Sequence, residues 1–192
     1  MARNPEQQAV FLELDGVITE QPRRSSEGDV TYYEGALKAL SRINPARFRM
    51  FVATNREDIA FGKLSEREFR KVCDRFVSDA SNYGVRIDKI YSCPFHPKGR
   101  AKYRKESVFR KPAPGMFKMA QQEFDLNLKR CWMIGHRTID ILAASRADMG
   151  SILVQTGEAG QDGVYLVEPH FTVPSIVEAI DTIRSFEAAQ QV

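Results

Sequence analysis

The sequence predicts an α/β domain: a doubly wound parallel sheet with helices on both faces. Three observations carry that expectation. Short apolar runs alternate with stretches of helical periodicity along the chain. The segments between the runs are long enough for crossover connections. No internal repeat, low-complexity tract or linker divides the 192 residues, so residues 1–192 are read as one domain.

Residues 9–14 (AVFLEL) read as a first buried strand and residues 48–53 as a second. Between them, Ala36, Leu37, Leu40 and Ile43 mark a helix within Tyr33–Ile43. Ser65 opens the capping-box pattern SERE, followed by Phe69, Val72, Cys73, Phe76 and Ala80 on one helical face. Residues 86–91 read as a third strand. A loop rich in Pro, Gly and Lys then runs from Ser92 to Pro114. Beyond it come a helix at 115–125, a strand at 131–134, a helix at 138–147 and a strand at 151–155. A strand at 164–167 and a final helix complete the order. Pro174 suits that helix's first turn, with Ile176, Ala179, Ile180 and Ile183 facing inward.

The composition is 43% hydrophobic and 28% charged, as in an ordinary globular protein, which excludes a disordered or collagen-like chain. No apolar run approaches the length of a transmembrane helix, and residues 1–8 contain no apolar signal core. Three widely spaced cysteines, Cys73, Cys93 and Cys131, argue against a disulfide framework. The expectation is a cytoplasmic chain with reduced thiols. Net charge is +3, but residues 98–111 carry +6 (seven basic residues against Glu106), leaving −3 for the remainder. Charge confined to one loop, with few aromatics beyond Tyr103 and Phe109, gives little support for nucleic-acid binding. An anion funnel and a plain solvated loop both remain open readings of it. No long amphipathic or heptad surface is present, so a monomer is expected.

In a parallel sheet, ligands bind outside the carboxyl ends of the strands. Those positions hold FLELDG (11–16), VATN (52–55) and MIGHRTID (133–140), with RKPAPGMF (110–117) before a helix. In that order they resemble the motifs of the haloacid-dehalogenase-like (HAD-like) phosphatases. The similarity runs from about Val10 to Gly157 and is strongest to the capless branch of heptose-bisphosphate and histidinol-phosphate phosphatases. The resemblance implies a Rossmann-like domain without a large cap, an aspartyl-phosphate mechanism and an oxygen-ligated Mg²⁺. It places Asp15 as general acid and base, with Thr54 and Lys111 on the phosphoryl oxygens and Asp140 as the second acid of the fourth motif. Asn55 and Arg110 join Thr54 and Lys111 as candidate phosphate contacts.

Several positions depart from the family pattern. Glu13 stands where the nucleophilic Asp belongs, His136 replaces the first acid of the fourth motif, and Val17 replaces a Thr. An extra methylene displaces the Glu13 carboxylate by up to about 1.5 Å, and a misplacement of about 1 Å can cost on the order of 100-fold in rate. Imidazole is a poor Mg²⁺ ligand, so Glu13, Asp15, His136 and Asp140 are expected to form a weakened or altered metal site. The family's structural zinc loop reads Cys93, Phe95, Ser107 and Phe109 at its ligand positions. One sulfur does not make a four-coordinate site, and no structural zinc is expected. Residues 92–114 thus become a basic loop, and specificity falls to loops 18–32 and 92–111.

Two functional expectations follow. One is an impaired or inactive phosphatase homologue that retains a pocket for a phosphorylated sugar. The other is an active metal-dependent phosphomonoesterase, acting on a phosphorylated sugar or histidinol phosphate through Glu13 and Asp15, with its metal site altered at His136.

Overall fold

Alternation along the first strand shows how this chain folds. In the computed structural model, which describes residues 7–20 and 30–189, strand β1 (Gln8–Leu12) is buried along its whole length. Val10 and Leu12 enter one apolar cluster, whereas Ala9 and Phe11 enter another. A strand buried on both faces needs helices on both sides, and its side chains alternate between the two layers.

The other strands are β2 (Phe48–Asn55), β3 (Lys89–Cys93), β4 (Trp132–Gly135), β5 (Gly150–Val154) and β6 (Phe171–Val173). All pair in parallel, in the order β3-β2-β1-β4-β5-β6. The helices are α1 (Ala36–Leu40), α2 (Glu57–Ala60), α3 (Glu66–Asn82), α4 (Gly115–Phe124), α5 (Thr138–Ser145) and α6 (Ile176–Ala189). Helices α1, α3 and α6 supply Leu37, Leu40, Phe69, Phe76, Ile176 and Ile180 to the first cluster. Helices α4 and α5 supply Met116, Phe117, Ala120, Ala143 and Ala144 to the second. The result is a three-layer, Rossmann-like single α/β domain. No helix among the described residues is long and apolar enough to cross a membrane.

Local signals hold where they have a physical partner. Ser65 accepts the Glu68 N–H at 3.1 Å while the Glu68 carboxylate accepts the Ser65 N–H at 2.7 Å, closing the capping box of α3. Three readings need correction. Residues 164–167 form no strand: Val164, Tyr165 and Leu166 are exposed. Left-handed Ala159, Gly160 and Gly163 carry the chain outward after β5, and pairing resumes only where His170 N–H donates to Ser151 O. The sixth strand is β6 instead. Pro174 lies before α6 rather than in its first turn, which the Ser175 hydroxyl caps by accepting the Val177 N–H. Strand β2 extends to Asn55, so Thr54 and Asn55 belong to the strand rather than to the loop after it. Residues 1–6 of the N-terminal segment and 21–29 of the 18–32 loop lie outside the described residues.

Candidate active site

Strands β1, β2 and β4 are neighbours, so their carboxyl ends share one rim, beside the point where the strand order reverses. Glu13 follows β1, Thr54 and Asn55 end β2, and Gly135 and His136 close β4. Lys111 reaches the same rim from the loop before α4. Asn55 fastens that loop: its side chain accepts the Lys111 N–H at 2.9 Å and donates to the Lys111 carbonyl at 3.0 Å. Both side-chain bonds are thereby used on the main chain, which makes Asn55 a positioning residue.

The Lys111 side chain is fully buried. Its ammonium donates to Glu13 Oε2 at 2.6 Å, to Asp140 Oδ1 at 2.6 Å and to the Ala53 carbonyl at 2.7 Å, using all three donors. Burial opposes its charge, but Asp140 and Glu13 outweigh burial and hold its pKa above the usual lysine value. The two carboxylates part company. Burial pushes Asp140 up, yet Lys111 and the backbone donors bring it below the ordinary value. Its Oδ2 accepts the N–H groups of His136 and Arg137 at 3.2 and 3.1 Å, at the start of α5. Burial also raises Glu13; Lys111 pulls it down, but the Asp140 charge adds to the rise and the net is upward. Oε1 of Glu13 accepts its neighbour's N–H, that of Leu14, at 2.8 Å, and the Thr54 hydroxyl also lowers the Glu13 pKa.

Asp15 faces a different cation. Its Oδ2 accepts from Arg56 at 2.6 Å and its Oδ1 from the Thr19 hydroxyl at 3.1 Å. Arg56 also binds Asp58, lies over the Phe69 ring with its guanidinium carbon 4.5 Å from the centroid, and is only 4% exposed. Thr54 is buried at the floor, its hydroxyl 3.5 Å from the Asn55 carbonyl.

His136 is held by its neighbours. Its Nδ1 accepts the Glu158 N–H at 2.9 Å, which leaves the proton of the neutral ring on Nε2. A Cβ at Gly16 would lie 2.7 Å from the ring, and one at Gly157 would lie 2.4 Å from Nδ1. Both glycines have positive φ, so two chain turns press on this one ring.

Outside this centre, Glu57 gathers charges. Its carboxylate lies 2.8 Å from Arg110, 3.5 Å from Arg137 and 3.7 Å from His96. Arg137 also lies 3.3 Å from Glu158. Burial would raise Glu57, but Arg110 and Arg137 pull it below the ordinary value. An open cleft of about 320 Å³ lies here, lined by Glu13, Asp15, Thr54, Arg56, His136 and Arg137 among others. A larger cavity, about 490 Å³, opens at the amino ends of the strands among Phe48, Trp132 and Phe186 and contains none of the motif residues.

The structure therefore joins Glu13, Lys111 and Asp140 directly. Arg110 sits at the edge, paired with Glu57. The basic residues 98–105 do not line the cleft; Lys102 pairs with Glu66, and Lys105 lies 3.9 Å from the centre of the Phe95 ring. Phe95 stands 6.4 Å from Tyr103, and Phe109 packs on the second core cluster, so apolar contacts hold this loop. Sequence reasoning missed Arg56, Glu57, Asp58, Arg137 and Glu158. Arg56–Asp58 follow the TN pair directly and Arg137 follows His136, so adjacency to the motifs was the available signal.

As arranged, the donor set does not fit an oxygen-ligated Mg²⁺. Octahedral binding needs carboxylate oxygens converging on one point. Glu13 and Asp140 converge on Lys111 instead, Asp15 turns to Arg56, and the His136 Nδ1 lone pair is spent on a backbone N–H. Among the described residues, no three His, Cys, Asp or Glu side chains form a metal-holding group.

A parallel sheet in this order, with a lysine held between Glu13 after β1 and Asp140 in the first turn of α5, is an arrangement suited to a HAD-like hydrolase. Residues 108–179 match the HAD-hydrolase-like family model. The D-glycero-β-D-manno-heptose-1,7-bisphosphate 7-phosphatase of Vibrio cholerae is 35% identical over 78% of this chain and 82% of its own. That of Haemophilus ducreyi is 33% identical over 79% and 85%. Among solved structures, the D,D-heptose 1,7-bisphosphate phosphatase of B. bronchiseptica, complexed with magnesium and phosphate, superposes with a TM-score of 0.82 at 23% identity, covering 94% of this chain and 99% of that one. The chain belongs to the HAD-like phosphatases, in the group of the heptose-bisphosphate phosphatases.

Proposed function

We propose that this chain is a phosphatase homologue with lost or strongly impaired turnover, which keeps a pocket for the phosphate of a phosphorylated sugar. The observation that carries the reading is the state of Glu13. The nucleophile must present a free, ionised oxygen in line with phosphorus. Here one oxygen holds the Leu14 N–H, the other holds Lys111, and burial favours the neutral form. The general-acid position is engaged as well, since Asp15 is paired with Arg56.

Support for a retained anion pocket is a cleft lined by Thr54, Arg56 and Arg137, with Arg110 paired to Glu57 at its edge and Lys111 buried behind Glu13. Each of these cations is already paired, so an entering phosphate must draw them from their carboxylates. Binding is accordingly weaker than in an open cationic cradle. The kinship with heptose-bisphosphate phosphatases makes a heptose bisphosphate the first sugar to test. We propose a monomer in the cytoplasm that uses neither structural zinc nor a tightly held Mg²⁺.

The test is phosphate release from heptose bisphosphate, histidinol phosphate and a generic aryl phosphate, each with Mg²⁺, Mn²⁺, Co²⁺ or Zn²⁺. The reading expects rates at background for all combinations. Robust turnover that disappears in Glu13→Gln would overturn it and establish the active phosphomonoesterase.

A further inference from the structure

The misfit between this site and Mg²⁺ has a positive side: a cation is already built into the chain. We propose that the Arg56 guanidinium is the resident cation of this centre and excludes a divalent metal from Asp15. The inference rests on reading the centre as a phosphoryl site of the family, but it concerns metal binding rather than turnover.

Three observations and one property of the guanidinium group support it. Arg56 is almost wholly buried, although a buried charge is costly unless paired. It is paired twice, with Asp15 and Asp58, both on the cleft wall. Its position is fixed from behind by the Phe69 ring and at the main chain by a 2.8 Å bond from its N–H to the Cys93 carbonyl at the end of β3. A guanidinium cannot be deprotonated in a protein, so it does not yield its charge to an arriving metal.

A divalent ion using Asp15 would have to expel Arg56 from its 2.6 Å contact. That would strand a buried guanidinium beside the ion it made way for. The remaining acids offer no substitute, because Glu13 and Asp140 share Lys111. Arg56, rather than His136 alone, thus decides whether metal enters. Restoring an acid at His136 in the presence of Arg56 does not restore metal binding.

The test is Mn²⁺ binding by electron paramagnetic resonance on the intact protein, with melting temperature in Mg²⁺ as a second readout. Wild type is expected to leave the free Mn²⁺ signal unchanged up to about 1 mM and to shift by less than about 1 °C in 10 mM Mg²⁺. Arg56→Gln is expected to bind Mn²⁺ at least about tenfold more tightly, with a rise of several degrees in Mg²⁺ because a ligand of the native state stabilises it, and to lose both effects when Asp15→Asn is added. If circular dichroism shows Arg56→Gln unfolded, Arg56→Met, which keeps the packing on Phe69, carries the same comparison. Stoichiometric Mn²⁺ binding by wild type overturns the proposal, as does a folded Arg56 variant that still refuses metal. Failure here is separable from failure of the functional reading. Metal binding without turnover removes only the role of Arg56, whereas turnover that persists in chelator removes only the impairment.

Discussion

Lys111 sits between two carboxylates that are chemically alike and electrostatically unequal. Asp140 has two backbone donors on its second oxygen and keeps its charge, whereas Glu13 has one and is driven toward neutrality by burial and by Asp140. A residue-level prediction follows. At neutral pH, Asp140→Asn should destabilise the protein by roughly 3–5 kcal/mol, because it breaks a buried pair and leaves a charge under-compensated. Glu13→Gln should cost less than Asp140→Asn, because the charge it removes is already opposed by burial and by Asp140. The pH dependences run in opposite directions. A lowered native pKa makes the Asp140 contribution full above the ordinary 3.8 and lost as pH falls through the native value. A raised native pKa makes the Glu13 contribution full below the ordinary 4.5 and lost as pH rises through the native value. Urea melts from pH 3 to 8 check both. Glu13→Gln should gain on wild type as pH rises, and Asp140→Asn should fall behind it.

At the scale of elements, the site depends on how loops are tied to strand ends. Asn55 ends β2 and clamps the main chain of Lys111 with two bonds, so it couples the 92–114 loop to the sheet. Asn55→Ala leaves both Lys111 backbone groups without those partners, and a stability loss of about 1–3 kcal/mol is expected from urea unfolding. A loss within error would show that the clamp is dispensable. This residue also marks a limit of sequence reading. The TN pair was recognisable, and so were Glu13, Asp15, Lys111 and Asp140, because strand-end position and motif order are written along the chain. That Asn55 would spend its side chain on a backbone was not, because its partner lies 56 residues away. The same holds for Arg56, whose meaning depends on the Asp15 and Phe69 it meets only after folding. The 164–167 segment misled for the converse reason. Its apolar residues satisfy the strand pattern, but the left-handed turns before it take the backbone away from the sheet.

Over the whole molecule, core and site answer to different constraints. Two apolar layers flank the sheet and use periodicities that any α/β chain must show, which is why the architecture was legible almost throughout. The rim at the carboxyl ends holds the residues on which the proposed impairment rests. Glu13 is long, His136 is folded onto Gly16 and Gly157, and Arg56 supplies a fixed charge. None of these three side chains belongs to either core cluster, so the proposed loss of turnover leaves the packing of the scaffold untouched.

The central claim is that these local changes, and not the scaffold, silence the chemistry. Its most direct test is the rate of aryl-phosphate hydrolysis in Mg²⁺ by wild type and by the triple variant Glu13→Asp, His136→Asp, Arg56→Gln. Restoring the position of the nucleophile alone is expected to be worth on the order of 100-fold. The account predicts a background rate for wild type and a rise of at least about that size in the triple variant. A wild-type rate already equal to or above that of the triple variant would contradict it.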